Sequence, residues 1–198
     1  PIKIETLKTI ECPTVNFISR ESAPDSPQPF LPLPAQKYKD DGTAEPFTTL
    51  NQCLNFYCIA DPIEYKPEGF TTNLNCTQKF EILSLSDIVI IGLKRFAYDL
   101  TLDAQVKLDH EITVPKTINF TNYFAPTGKQ GKNDTYELIG AACHSGVAGG
   151  GHYVAYVKEK NDQWYYCSDT SISQKTEISV LQEVNKYGYM LFYKKNSP

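Results

Sequence analysis

The sequence predicts an α+β domain built around an antiparallel β-sheet. Two observations carry this prediction. Apolar and β-branched runs typical of strands dominate the second half of the chain, whereas only two short segments show the apolar spacing of a helix. With 198 residues, the chain is long enough to bury a core as one domain or as a large part of a split one.

The first third of the chain is predicted to be mostly irregular. Residues 22–34 contain five prolines, which lack backbone N–H donors and favour extended geometry, so we expect a loop there. A short helix follows, with apolar residues at Leu50, Cys53, Leu54 and Tyr57. Thr48 or Thr49 is its expected N-cap, and Asp61-Pro62 is expected to end it.

The later elements are mainly strands. Residues 80–83 lead to residues 88–93, a continuous β-branched run that suits a strand buried on both faces. Residues 106–114 alternate between apolar and charged side chains, as a half-buried strand does. Further strands are predicted at residues 136–143, 152–158, 164–167 and 189–193, a helix at 177–184, and turns at 127–129 and 149–151.

Composition argues against several classes of partner. The net charge is 19 − 23 = −4 and no basic run occurs, so the chain lacks the electrostatic footprint of a nucleic-acid-binding protein. The chain contains no stretch of eighteen apolar residues, the length at which a segment becomes a candidate to span a bilayer. We therefore expect neither a nucleic-acid nor a membrane partner. The chain begins at Pro1 without a Met or a signal-type segment, and we expect it to be a piece of a longer protein.

Cysteine usage predicts an intracellular compartment. The chain has enough apolar material to fold without disulfides and carries no secretory signal, so we expect reduced thiols. The six cysteines are Cys12, Cys53, Cys58, Cys76, Cys143 and Cys167.

The most unusual local feature is a run of three glycines, Gly149 to Gly151, directly before His152. Glycines allow a backbone to approach another chain closely, because no side chain intervenes. The histidine then opens a predicted strand. Taken alone, such a histidine is more often a structural or surface residue than a catalytic one.

A second feature lies across a predicted hairpin turn at residues 159–163. If the strands on either side of it pair, Ser168 and Asp169 can face His152 across the sheet. A general base needs such an acceptor, which would take the imidazole Nδ1–H so that Nε2 points toward a nucleophile. An ordinary turn that caps a strand remains an equal alternative on spacing alone.

Together these motifs resemble the ubiquitin-specific proteases. The matching strings stand in family order and at family spacing: IGLKRF at 91–96, CHSG at 143–146, GGHYVAYVK at 150–158, Trp164 followed by Ser168-Asp169, and YMLFY at 189–193. TLNQCL at 49–54 is similar to a short family helix that precedes the finger strands. The resemblance covers residues 7–194.

The resemblance implies an α+β, papain-like ubiquitin-specific protease fold with antiparallel-sheet-rich fingers and palm subdomains. Residues 1–198 would form the C-terminal part of one catalytic domain. Residues 1–85 would be the fingers and finger helix, and residues 86–195 the palm with the histidine box. The thumb, which in this family carries the nucleophile, would be absent from this chain.

The resemblance also assigns the site residues. His152 matches the family's general base, His144 matches a second family histidine that is not the base, and His110 matches no motif. The family usually has Asn or Asp where this chain has Ser168, so Ser168 is the matched orienting residue and Asp169 its acidic neighbour. A neutral hydroxyl would stabilise an imidazolium less than a carboxylate does.

The glycine-rich segment resembles a family loop over the channel for ubiquitin's C-terminal tail, with residues 123–134 as its companion loop. Both segments could instead be ordinary flexible hairpin tips. A narrow channel for a diglycine tail suits glycine walls and extended backbone pairing. The predicted tail-binding residues are Ser145, Gly146, Gly149, Gly150, Gly151 and Tyr153.

Two family features are missing. Nothing here resembles the nucleophile box Gly-Asn-Thr-Cys-Tyr, and Cys53, Cys143 and Cys167 are better interpreted as small apolar residues. Many family members hold zinc through two Cys-x-x-Cys pairs. Here each pair keeps only its first cysteine, Cys12 in one and Cys76 in the other, and two thiols cannot complete a tetrahedral site. We therefore expect no metal and no cofactor.

Without a metal, the fingers would have to hold together by strand pairing and by packing around Phe70, Leu74 and Phe80. The predicted function is that of a deubiquitinase acting on ubiquitin or ubiquitinated proteins in the cytoplasm, the nucleus or both. Its catalytic cysteine would lie on an upstream thumb segment or on another chain. The alternatives are an inactive scaffold that binds ubiquitin or another protein, and an enzyme for a ubiquitin-like modifier.

Overall fold

The computed structural model describes residues 2–23, 26–39, 41–99, 102–129, 131 and 134–196. Within these ranges lie two α-helices, α1 (Leu50–Cys58) and α2 (Glu177–Tyr187). The strands are β1 Ile4–Cys12, β2 Phe17–Ser22, β3 Leu31–Pro34, β4 Gln36–Tyr38, β5 Ala44–Pro46, β6 Asp61–Tyr65, β7 Leu74–Leu85, β8 Ile88–Lys94, β9 Phe96–Asp99, β10 Ala104–Lys107, β11 Thr117–Asn119, β12 Thr135–Val147, β13 Gly150–Lys158, β14 Trp164–Ser168, β15 Ser171–Lys175 and β16 Gly188–Lys195.

The largest sheet has eight strands, in the order β15-β14-β13-β12-β16-β8-β3, with β11 paired beside β12. All its pairings are antiparallel except that of β3 with β8. The predicted strand at β8 is confirmed, but the prediction that it is buried on both faces is wrong. Val89, Ile91 and Leu93 are buried whereas Ile88 and Ile90 are only half-buried, because the core covers one face of the sheet.

Both predicted helices are present and contribute to a single core cluster. Thr49 caps α1 in a capping box with Gln52, and Leu50, Cys53 and Leu54 are the buried face of this helix. Thr176 caps α2, which buries Val180 and Val184 against β12 and β16. Neither described helix is long and apolar enough to cross a membrane.

A second, four-stranded sheet has the order β2-β1-β7-β6. The prediction of an irregular first third is therefore wrong. A disulfide joins Cys12 at the end of β1 to Cys76 near the start of β7, so the prediction of reduced thiols is wrong for these two cysteines. Both sulfur atoms lie in a small apolar cluster with Ile10, against which Leu74 packs.

The expected packing of the fingers is confirmed only in part. Phe80 stacks on Tyr57 of α1, with ring centroids 5.7 Å apart. Phe70, in contrast, is 39% exposed and lies outside the apolar clusters, so its predicted packing role is wrong.

The proline-rich segment is not all loop, because β3 pairs in parallel with β8 and buries Leu31 and Leu33. Its prolines are tolerated because an edge strand bonds to only one neighbour.

The alternating segment 106–114 is a strand only as far as Lys107. Beyond it, the carbonyl groups of Leu108 and His110 accept hydrogen bonds from the guanidinium of Arg95 instead of from a neighbouring strand. The side chains of Ile112 and Val114 are nevertheless buried in the core.

Candidate active site

Two consecutive hairpins bring His152 and Ser168 together. The first hairpin joins β12 to β13 through a turn at Ala148-Gly149, and the second joins β13 to β14 through residues 159–163. Antiparallel pairing of Ala155 with Cys167 sets the register. As a result, His152 Nε2 lies 2.7 Å from Ser168 Oγ, as the predicted strand pairing requires.

The ring nitrogen that faces the serine is not the expected one. From the sequence we expect an acceptor at Nδ1 and the nucleophile at Nε2, whereas Ser168 lies at Nε2 in the structure. Ser168 thus contacts Nε2 and leaves Nδ1 on the other side of the ring. Which partner donates between His152 and Ser168 depends on the imidazole tautomer.

Asp169 is the next polar group around the same ring. Its Oδ2 lies 3.9 Å from His152 Nε2, beyond hydrogen-bonding distance, and its side chain is 81% exposed. Its φ of 49° is in the left-handed region, which aspartate tolerates better than most residues. Asp169 can thus act on the imidazole through its charge, or by moving less than 1 Å toward it.

The glycine-rich segment is a tight hairpin rather than a loop. Ser145 to Val147 belong to β12 and Gly150 and Gly151 to β13, and only Ala148-Gly149 form the turn. Gly146 has a φ of +119°, where a Cβ is strained. A Cβ on Gly151 would collide with Ser145 O and His144 Nε2, whereas one on Gly149 would meet nothing within 4 Å.

His144 packs beneath this hairpin. It is 5% exposed, and its ring centroid lies 4.6 Å from that of Tyr153 and 5.7 Å from that of Phe96. Burial, and then the nearby Lys107 ammonium, lower the pKa of His144, while Asp109 opposes them. Its Nδ1 has no hydrogen-bond partner. His144 therefore fills space as a neutral ring, while Tyr153 remains 53% exposed at the surface.

A family model described as ubiquitin carboxyl-terminal hydrolase matches residues 2–193. The chain belongs to the ubiquitin carboxyl-terminal hydrolase family. Human "Ubiquitin carboxyl-terminal hydrolase 15" is 30% identical over 156 residues, which cover 76% of this chain and 15% of that protein. Mouse "Ubiquitin carboxyl-terminal hydrolase 4" is 31% identical over 152 residues, which cover 74% and 15%. The chain thus spans only a small part of these relatives.

Solved structures agree with the family. A SAGA DUB module, Ubp8/Sgf11/Sus1/Sgf73 bound to monoubiquitin, has a TM-score of 0.79 at 25% identity, covering 98% of this chain and 41% of that one. The same kind of module bound to ubiquitin aldehyde gives 0.77 at 24% identity, again over 98% and 41%. The predicted α+β, papain-like ubiquitin-specific protease fold is confirmed.

The buried cysteines of this ubiquitin carboxyl-terminal hydrolase chain are poor nucleophiles. Burial raises the pKa of Cys53 and of Cys143 to about 12, so both remain protonated thiols at neutral pH. Cys167 is half-buried in β14, next to Ser168. Among the described residues, no cysteine is hydrogen-bonded to His152.

The described part of the chain contains no group of three or more His, Cys, Asp or Glu side chains placed to hold a metal ion. Cys12 and Cys76 are bonded to each other. His110 lies apart from the hairpins, with Nε2 3.0 Å from Ala35 O. One residue near the site was not predicted: Lys107, whose ammonium reaches the backbone of the glycine-rich hairpin.

Proposed function

We propose that this chain supplies the general base and the ubiquitin-tail channel of a deubiquitinase. The reaction is thiol-dependent hydrolysis of the bond after ubiquitin's C-terminal glycine. The observation that carries this proposal is the 2.7 Å contact between His152 Nε2 and Ser168 Oγ, beside a glycine hairpin, in a member of this hydrolase family. The nucleophilic cysteine lies on an upstream thumb segment or on another chain.

In this proposal, proton transfer runs through Nδ1 of His152. With Nε2 engaged by Ser168, Nδ1 accepts the thiol proton as the thiolate attacks the carbonyl carbon of ubiquitin's last residue. The imidazolium then returns that proton to the leaving amine, and a thioester forms. Water, deprotonated by the same nitrogen, hydrolyses the thioester and releases the thiol.

Ser168 and Asp169 divide the work of the third catalytic position. The Ser168 hydroxyl fixes the orientation of the ring, and the Asp169 carboxylate stabilises the positive charge that develops on it. Because the carboxylate is exposed and 3.9 Å away, its contribution is weaker than that of a direct partner. We therefore expect slower turnover than with a carboxylate at position 168.

Ubiquitin's tail lies along the glycine hairpin in this proposal. Its extended backbone runs past Gly149, Gly150 and Gly151, which carry no side chains, and Tyr153 contributes an exposed ring. The lining residues are Ser145, Gly146, Gly149, Gly150, Gly151 and Tyr153. The four-stranded sheet, within residues 1–85, grips the body of ubiquitin as fingers, and residues 86–195 serve as the palm. Similar solved structures bound to monoubiquitin and to ubiquitin aldehyde support this arrangement.

A second candidate is an inactive relative that acts as a scaffold by binding ubiquitin or another protein. The serine at position 168 favours it, because a hydroxyl cannot share the charge of an imidazolium. A third candidate keeps the chemistry but acts on a ubiquitin-like modifier, which a panel of modifier probes would reveal.

The deciding experiment uses the full-length protein and a ubiquitin probe with a C-terminal electrophile. We expect the probe to label one cysteine outside the described residues, and His152→Ala to abolish labelling while ubiquitin still binds. Tight binding of ubiquitin with no labelling of the natural protein would contradict the enzyme and favour the scaffold. If only a probe made from another modifier labels the protein, and the ubiquitin probe does not, the third candidate is favoured.

A further inference from the structure

Strand β12 extends past the end of its neighbour β16. The last pairing between the two joins Cys143 to Gly188, where β16 begins. From His144 to Val147, β12 is paired along one edge only, with β13. The carbonyl groups of alternate residues in a strand point to the same edge. Those of His144 and Gly146 therefore need donors that β16 does not provide.

Lys107 supplies these donors. Its Nζ lies 2.9 Å from His144 O and 3.3 Å from Gly146 O, so that one ammonium group bonds two carbonyls of the same strand edge. Asp109 Oδ1, 3.2 Å away, balances the charge. The side chain of Lys107 is only 5% exposed, and such charged hydrogen bonds are stronger than neutral ones.

The hairpin of β9 and β10 makes a second contact with the same strand. Phe96 on β9 pairs directly with Lys107 on β10, so the two residues stand side by side. The Phe96 ring packs edge-on against the ring of His144, which lies directly under Gly151. Gly151 immediately precedes His152. A short series of contacts thus connects this hairpin to the proposed base.

We propose that Lys107 is a positioning residue for the glycine-rich hairpin and, through it, for His152. Lys107 takes the place of the missing strand beside His144 and Gly146. Without it, two carbonyls lose their donor and the hairpin frays from β12 toward its tip. This proposal rests on the proposed function for its catalytic consequence, but its structural part stands independently of any activity.

The structural test is amide hydrogen exchange on the full-length protein. In Lys107→Met, which keeps the length of the side chain but removes the ammonium, we expect exchange at residues 145–151 to become about tenfold faster. The matched control is Lys158→Met. Lys158 is also 5% exposed and pairs with two carboxylates, but it lies at the far end of β13. Unchanged exchange in Lys107→Met, or an equal change in the control, would overturn the proposal.

The kinetic test separates positioning from general stability. With ubiquitin carrying a fluorogenic C-terminal amide, we expect Lys107→Met to lower kcat/KM about tenfold or more, because a displaced base loses alignment. Lys107→Arg, which retains charge and donors, should recover most of the loss, and Lys158→Met should keep the natural value. If the natural protein has no activity but the exchange result holds, the proposed function fails and the positioning role survives. An active Lys107→Met enzyme with normal kcat/KM would contradict the catalytic part.

Discussion

Gly149 and Gly151 lie two positions apart in one hairpin but have opposite surroundings. A methyl group on Gly149 would project into open space, whereas one on Gly151 would meet the Ser145 carbonyl and the His144 ring. Only the second glycine is therefore required by close packing. The distinction matters for the site because Gly151 is the residue before His152.

We expect Gly151→Ala to lower kcat/KM for a ubiquitin substrate by about tenfold or more, because the strand must shift to admit the methyl group. The free energy of unfolding should fall by about 1–3 kcal/mol. Gly149→Ala is the matched control for packing and should leave the free energy of unfolding near its natural value. Steady-state kinetics and urea unfolding measure the two quantities for Gly151→Ala, and an equal fall in the free energy of unfolding in both variants would refute the role of packing.

Replacing Ser168 and Asp169 in turn tests how they share the third catalytic position. Ser168 is in hydrogen-bonding contact with His152 whereas Asp169 is not, so we expect Ser168→Ala to reduce kcat more than Asp169→Ala does. Each kcat is measured with the substrate at saturation. A larger loss in Asp169→Ala would show that the carboxylate moves in to orient the ring. If neither substitution changed kcat, the β13–β14 hairpin would not be the catalytic one.

Most of the candidate site could be predicted because its residues belong to short recognisable sequence motifs that one hairpin joins. These residues are the glycines, His152 and Ser168-Asp169. Lys107 could not be predicted, because it acts on residues 37 or more positions away through its ammonium group. The ring nitrogen facing Ser168 depends on side-chain rotation, which spacing along a chain does not determine. The sequence therefore predicts which residues meet but not how they face each other.

At the scale of elements, Arg95 joins α2 to the chain that follows β10. It is 1% exposed, and its guanidinium donates hydrogen bonds to four backbone carbonyls, those of Gly188, Leu108, His110 and Asn185. Two of these carbonyls lie at the C-terminal end of α2, where a positive charge is favourable. The guanidinium thus stabilises a helix end and an irregular segment together.

We expect Arg95→Lys to lower the free energy of unfolding by about 3 kcal/mol, although it retains the charge. A single ammonium cannot reach four carbonyls spread around a planar group, so several buried acceptors lose their donors. Substitution of the neighbouring exposed Lys94 by Met is the control and should change little. Urea unfolding of both variants measures this, and comparable stability of the two would contradict the arrangement.

The disulfide joins strands that are distant in the chain. Cys12 and Cys76 are 64 positions apart, so cross-linking them reduces the freedom of the unfolded chain considerably. We expect Cys12→Ser to lower the free energy of unfolding by about 3–4 kcal/mol under non-reducing conditions. When the denatured, unreduced protein is treated with a thiol-reactive label and mapped by mass spectrometry, the four free cysteines of this chain should be labelled and Cys12 and Cys76 should not. Labelling of Cys12 and Cys76 without reductant would contradict the disulfide.

The strands of the second half were predictable because their apolar runs are long and uninterrupted. β1 was not predicted because threonine, a polar residue, fills two of its inward positions: Thr6 and Thr9 are both buried. β3 was missed because prolines normally argue against a strand, and only its place at the sheet edge permits them. Strand pairing and edge position are properties of the fold, and a local pattern does not contain them.

At the scale of the whole molecule, one continuous core joins both helices to the eight-stranded sheet. Cys53 on α1 and Cys143 on β12 both belong to it, at 0% and 3% exposure. Burial raises the pKa of each thiol from 9.0 to about 12. Unfolding exposes both thiols to water and returns their pKa to the ordinary value.

This difference predicts how stability depends on pH. Above pH 9 the unfolded chain loses the two thiol protons while the folded chain keeps them, so the unfolded state binds fewer protons and stability falls as pH rises. Each thiol should contribute about 1 kcal/mol of this loss between pH 9 and 10, and below pH 8 the effect should vanish. Urea unfolding of the natural protein and of Cys53→Ala/Cys143→Ala, at pH 8, 9 and 10, isolates the contribution. The variant starts from a lower stability because it loses packing. Between pH 9 and 10, however, its free energy of unfolding should fall by about 2 kcal/mol less than that of the natural protein. Parallel pH curves would mean that the thiols are not buried in the folded core.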